Sequence, residues 1–144
     1  MEIIIRVAEI NDAEPVVNLS FQLGYEITKE KTEHQLEELL SNKDNCVFVA
    51  VDGGEIIGWI HGFYSIRLES ASFVEIGGLV IDEKKRGKGI GKKLIGKVIE
   101  WAVTKKCDKL RVRSNTIRKE THAFYKHNGF NERKEQKVFE KKIP

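Results

Sequence analysis

Residues 72–105 constrain this chain more than any other stretch. The apolar run over residues 72–81 reads as a strand, and it is interrupted by Gly77-Gly78. Paired glycines inside a strand mark a bulge or a close backbone approach. The run passes into Asp82-Glu83-Lys84-Lys85-Arg86-Gly87-Lys88-Gly89-Ile90-Gly91, which is polar and glycine-rich. A helix is expected next over residues 90–105, with Leu94, Ile95, Val98, Ile99, Trp101 and Ala102 as its apolar face. A helix N-terminus presents unpaired N–H groups and about half a positive charge, which makes it an anion site. Glycines let the backbone approach a phosphate and adopt positive φ. Lys84, Lys85, Arg86, Lys88, Lys92 and Lys93 add six cations around that point. A di- or polyphosphate suits this chemistry; a basic turn that holds no ligand is the plainer alternative.

The remaining elements place this unit in an α/β chain. Residues 2–7, rich in Ile and Val, read as an opening strand. Asn11-Asp12 offers an N-cap to a helix over residues 12–23, in which Pro15 falls early enough to be tolerated. A second helix over residues 28–40 is capped by Thr28 and stopped by Asn42-Lys43-Asp44-Asn45. Residues 46–52 and 55–64 form two strands, and Asp52-Gly53-Gly54 between them is a hairpin signal. After the central unit come a short strand over residues 110–113 and a helix over residues 119–127. Asn128-Gly129 closes that helix as a left-handed C-cap, and residues 130–143 read as a final pair of polar edge strands. The order βααβββαβαββ predicts one domain over residues 1–144, with a mixed sheet of six to seven strands and about four helices.

Composition narrows the class. The chain has 144 residues, 40% hydrophobic and 33% charged with only 2 Pro, which excludes a disordered or collagen-like chain. Lys and Arg exceed Asp and Glu by 3, too little to predict a nucleic-acid partner. Cys46 and Cys107 lack CxxC spacing and read as reduced, buried thiols. His34, His61 and His127 have no partner at metal spacing, so no metal is expected. No signal-peptide pattern and no apolar run of about 20 residues is visible, so a cytoplasmic chain with no membrane segment is expected.

Known phosphate loops discriminate further. No glycine begins GxxxxGK[ST], and the GxGxxG pattern fails because Lys92 stands where its last glycine should be. Arg86-Gly87-Lys88-Gly89-Ile90-Gly91 instead resembles the [RQ]-x-x-G-x-[GA] loop of the GCN5-related N-acetyltransferase (GNAT) superfamily. Glu75-Ile76-Gly77-Gly78-Leu79-Val80-Ile81 resembles that family's bulged central strand. His122-Ala123-Phe124-Tyr125-Lys126-His127-Asn128-Gly129-Phe130 resembles its late helix.

The resemblance implies acetyl-CoA as co-substrate and direct transfer to a primary amine, with no covalent enzyme intermediate and no metal. Leu79, Val80 and Ile81 would present main-chain groups to the pantetheine arm. Arg86, Gly87, Lys88, Gly89, Ile90, Gly91 and Lys92 would cradle the pyrophosphate, with Lys84 and Lys85 on a solvated face near the 3′-phosphate. Tyr125 takes the place of the general acid, or else packs as an aromatic on an amphipathic helix. Glu75, eleven residues before Arg86, takes the place of a catalytic glutamate; a carboxylate that orients substrate or faces outward is the alternative. Where many members carry Asn, seven residues before the Tyr, this chain has Arg118, with Asn115 nearby; both are candidate CoA contacts. His122 reads as a packing residue on the same helix face as Tyr125.

The acceptor is left open between a small-molecule and a peptide amine. Phe21, Tyr25, Glu26 and Tyr64 fall in the segments that line the acceptor in this fold. A sensor that holds acyl-CoA without turnover is the rival reading. Nucleic acid and membrane are not expected partners, and the late hairpin could pair between two copies as a homodimer.

Overall fold

The structure is a computed structural model that describes residues 2–144. It resolves into two compact units, one ending at Val112 and the other spanning Arg113–Pro144. The first unit contains one five-stranded sheet in the order β1-β2-β3-β4-β5. Its strands are β1 (Ile3–Val7), β2 (Asn45–Asp52), β3 (Glu55–Ser65), β4 (Phe73–Ile81) and β5 (Leu110–Val112). The helices of this unit are α1 (Ala13–Phe21), α2 (Lys29–Ser41) and α3 (Ile90–Thr104).

Local chemistry explains most boundaries. Gly53 and Gly54 have φ of 57° and 86°, and β2 and β3 pair antiparallel across them from Asp52↔Glu55. Two successive positive φ values give the turn whose twist matches that of the flanking strands. The Thr28 hydroxyl accepts from Lys31 N at 3.1 Å, so the expected cap of α2 is present. Asp12 does different work from the cap expected of it. Residues Ile10–Asp12 form a 3₁₀ turn, and the Asp12 carboxylate accepts from Glu9 N at 2.7 Å and from both Arg6 guanidinium nitrogens at 2.8 and 2.9 Å. Asp12 thereby ties β1 to the start of α1.

Strand alternation sorts the core onto two faces. Gly58 and Gly62 of β3 face Leu94 and Val98 of α3, and Cys46 of β2 lies beside Gly62. On the opposite face Val47 and Val49 pack with Ala8, Ala13 and Leu36, bordered by Leu39 and Trp59. Phe73, Ile57, Ile60, Ile90 and Leu94 are among the fully buried side chains. Each such side chain contributes about 1.5–3 kcal/mol by leaving water.

The second unit carries α4 (Lys119–His127). Gly129, at φ 90°, closes it as expected, with Phe130 N donating to Tyr125 O at 3.0 Å. The final pair of strands is a correction: among the described residues the sheet has five strands rather than six to seven, and residues 130–144 form none. Eight of the fourteen residues from 131 to 144 are charged, and Val138, Phe139 and Ile143 are exposed. A run so polar buries little apolar surface by pairing, so pattern alone cannot hold it in a sheet.

Candidate active site

The site is built on β4. The strand pairs with β3 along its whole length, from Ser65↔Phe73 to Gly58↔Ile81. On its other side it pairs with β5 only from Val74↔Leu110 to Ile76↔Val112. The register against β3 shifts between His61 and Gly62, which makes Gly77 the extra residue of the expected bulge. From Gly77 to Ile81 no strand among the described residues pairs with the β5-side edge of β4. That edge leaves main-chain groups available to an extended ligand.

The glycines at the bulge are required by their neighbours. A Cβ on Gly77 would fall 2.6 Å from His61 Nδ1, and one on Gly78 would fall 2.7 Å from the far end of the Trp59 indole. Both rings therefore lie directly on the β4 backbone. Glu75, on the same strand, is 8% exposed and pairs with Phe63. Paired residues share a face, so Glu75 lies on the face that carries His61 and Phe63, whose rings are 5.7 Å apart.

The loop after β4 is built of left-handed glycine turns. Gly87 and Gly89 have φ of 81° and 77°, and the space where their Cβ atoms would stand is empty. Gly89 is the N-cap of α3, and the first intrahelical bond runs from Lys93 N to Gly89 O at 3.2 Å. The N–H groups of Ile90, Gly91 and Lys92 thus precede the first N–H that donates within the helix, that of Lys93, and have no helical acceptor. A pyrophosphate fits these donors and the cations beside them. Two side chains are already engaged: Lys85 Nζ lies 3.7 Å from Asp52, and Arg86 Nε donates to the Ile81 carbonyl at 3.3 Å. Of the three residues expected to meet the pantetheine arm, Ile81 therefore has its carbonyl occupied. Gln22, at the end of α1, braces the loop by accepting from Glu83 N at 3.0 Å.

Within the second unit, the Tyr125 ring packs edge-on between Phe124 and Phe130, with centroids 5.2 and 5.3 Å away. Burial pushes its phenol up to about 12, against the opposing charge of Arg118. The hydroxyl stays protonated at neutral pH, as a proton donor must. Asn115 is committed to a local turn, since its side-chain oxygen accepts from Ile117 N at 3.1 Å. Its carbonyl accepts from the His122 ring at 2.8 Å and from Arg118 N at 3.0 Å, which accounts for His122 as a packing residue. Cys46 is buried, and its desolvated thiol is pushed up to about 11, which suits an inert core residue. No group of metal-ligating side chains is found among the described residues, nor a helix long and apolar enough to cross a membrane.

Sequence reasoning missed a cluster on the α1–α2 face. His61 Nε2 lies 2.8 Å from Asn45 Oδ1, a pair brought together by the register of β2 and β3. A cleft of about 690 Å³ opens beside it, lined by Val16, Thr32, Leu36, Val47, Trp59 and His61 among others. The signal was the alternation Trp59-x-His61-x-Phe63, which places three rings on one face of a strand.

Comparison with known proteins bears on this geometry. The acetyltransferase (GNAT) family profile matches residues 10–130. No curated protein matches the chain in sequence. Among solved structures, an aminoglycoside 6'-N-acetyltransferase from Acinetobacter haemolyticus superposes with TM-score 0.86 at 19% identity, over 98% of this chain and 99% of that one. The AAC(6')-Iy protein in complex with a CoA-based bisubstrate analogue gives 0.88 at 20% identity, over 99% and 100%. A transcriptional regulator from Bacillus halodurans gives 0.82 at 24% identity, over 96% and 99%. With the profile covering most of the chain, and the bulged strand and glycine loop both in place, the chain belongs to the GNAT acetyltransferase family.

Proposed function

We propose that the protein is an acetyl-CoA-dependent N-acetyltransferase that acts on a primary amine of a small molecule. The observation that carries this reading is the unpaired edge of β4 from Gly77 to Ile81, which leads directly into the glycine cradle at the start of α3. Bound acetyl-CoA supplies the activated acetyl thioester. Leu79 and Val80 hold its arm by main-chain groups, and Gly87, Gly89 and the first N–H groups of α3 hold its pyrophosphate. Arg86, Lys88 and Lys92 balance its charge. Arg118, a cation at the head of α4, is the residue of the second unit suited to a phosphate. Asn115, its side chain engaged in a turn, is the weaker CoA contact.

Tyr125 gives a proton to the departing thiolate, and Glu75 meets the acceptor's nitrogen. Structural neighbours named as aminoglycoside acetyltransferases support a small-molecule acceptor. The exposed Val138, Phe139 and Ile143 support a homodimer that covers the C-terminal arm.

Calorimetry with acetyl-CoA, followed by thiol release across a panel of amines, tests the reading. Binding with thiol release for one class of amine supports the enzyme. Binding with no turnover for any amine leaves the acyl-CoA sensor in its place. Absence of binding refutes the cradle.

A further inference from the structure

The cleft between α1, α2 and the β2–β3 face has three properties that packing alone does not explain. First, its chemistry is lopsided. The walls are Val16, Ile27, Leu36, Leu39, Val47 and Trp59, and the charged lining is reduced to Glu30 and Lys31 of α2, which offset one another. Second, two of its lining side chains carry buried polar atoms without a partner, Thr32 Oγ1 and Trp59 Nε1. Thr32 is 7% exposed. Buried donors and hydroxyls are almost always satisfied, so two unpaired ones on residues that line the same cleft set it apart from ordinary packing. Third, His61 lies at the cleft's β4 end with its two nitrogens differentiated. Asn45 Oδ1 accepts from Nε2–H at 2.8 Å, so Nδ1 is the bare nitrogen. Nδ1 faces the bulge, 2.6 Å from where a Gly77 Cβ would stand. In the proposed complex Leu79 and Val80 hold the pantetheine arm, so the bulge is where that arm ends.

We infer that this cleft takes the acceptor, a primary monoamine with an apolar body, and that His61, oriented by Asn45, is the base that removes its proton. The inference rests on the proposed acetyl transfer. In the step, a proton passes from the acceptor's ammonium to Nδ1 and the electron pair stays on nitrogen. A C–N bond to the acetyl carbon then forms as the C–S bond breaks. The ammonium loses two protons in all: one leaves to solvent through His61, and the other ends on the thiol. Glu75 acts as counter-charge to the ammonium rather than as its base. A polycation such as an aminoglycoside finds, besides Glu75, only Glu30, which Lys31 offsets, and is a poor fit.

Burial lowers the pKa of His61 below its ordinary 6.5, so the ring is neutral and able to accept a proton at pH 7. The charged or titratable groups around it are Glu75, on the same face of β4, and Glu30, Lys31 and His34 of α2, which line the same cleft. From β2 it meets the uncharged Asn45, and α1 lines the cleft with Val16 and Ser20.

The test begins with acetyl-CoA calorimetry on the whole protein, whose failure refutes the transferase reading and not the cleft. NMR of the protein without acetyl-CoA then follows the Trp59 indole N–H and the His61 ring during titration with 2-phenylethylamine. Shifts at both are expected with the amine and not with kanamycin; shifts at neither overturn the acceptor site. Turnover of 2-phenylethylamine should exceed that of kanamycin, and the reverse order overturns the acceptor class.

His61→Gln should bind acetyl-CoA and the amine as the wild type does, lose about 10²–10³-fold in kcat/KM, and lose the acidic limb of the pH profile. Glu75→Gln should raise KM for the amine and keep that limb. Asn45→Ala, which leaves the imidazole but frees it, should lower kcat at unchanged KM for acetyl-CoA with the limb retained. An acidic limb that survives in His61→Gln and disappears in Glu75→Gln returns the base to Glu75 and overturns the inference.

Discussion

At the scale of single residues, the environment of each group decides what it can do. Tyr125 stays protonated because two aromatic edges and burial disfavour the phenolate. Tyr125→Phe keeps the ring and removes the proton. It should lower kcat by about one to three orders of magnitude with acetyl-CoA affinity unchanged, as single-turnover kinetics and calorimetry would show. Gly77 was legible in the sequence as a bulge, but its tight contact with the His61 ring was not. Gly77→Ala inserts a methyl where the ring stands 2.6 Å away. A loss of about 1–3 kcal/mol in urea unfolding is expected, together with a displaced His61 signal.

At the scale of elements, the start of α3 carries the binding argument. Gly89→Glu puts a carboxylate into the cradle and a side chain on a residue with φ of 77°. Acetyl-CoA affinity should fall at least about tenfold by calorimetry, because the anion then meets a like charge at the helix end. Thermal unfolding of the same variant separates this from the strain of about 1–2 kcal/mol that left-handed backbone imposes on a side chain.

Asp12 is the second element-level case, since it joins β1 to α1. Burial opposes its ionisation, but the Arg6 hydrogen bonds, the Glu9 N–H and the Arg6 charge outweigh that cost and hold its carboxyl below the ordinary value. A lowered folded pKa means the unfolded chain binds the proton first as pH falls. The stabilisation is complete above about pH 4 and is lost as pH drops through the folded value. Asp12→Ala should cost about 1–3 kcal/mol at pH 7, and the difference from wild type should shrink below pH 4 in pH-dependent denaturation.

At the scale of the whole molecule, the C-terminal arm is the open account. Residues 131–144 pair with no strand of the described chain, and Val138, Phe139 and Ile143 are 86–89% exposed. In the proposed homodimer a second copy covers this arm. Analytical ultracentrifugation should give a dimer for the full chain and a monomer when residues 131–144 are removed. A full chain that sediments as a monomer overturns the dimer.

The sequence by itself determined what depends on near neighbours. The Gly53-Gly54 hairpin, the Thr28 cap, the Gly129 stop, the bulge at Gly77 and the left-handed glycine turns at Gly87 and Gly89 all follow from the conformations that a few adjacent residues prefer. Those preferences act within a turn or two and need no partner from elsewhere in the chain. Tertiary structure decided what depends on register. Asn45 and His61 stand sixteen residues apart and meet only because β2 and β3 pair as they do. The open edge of β4 exists because β5 is three residues long and stops opposite Ile76. Residues 130–143 read as polar edge strands, yet a strand needs a partner edge as well as a sequence, and these residues form none. Pairing is a long-range choice among competing edges, and a linear pattern holds no information about which edge is free.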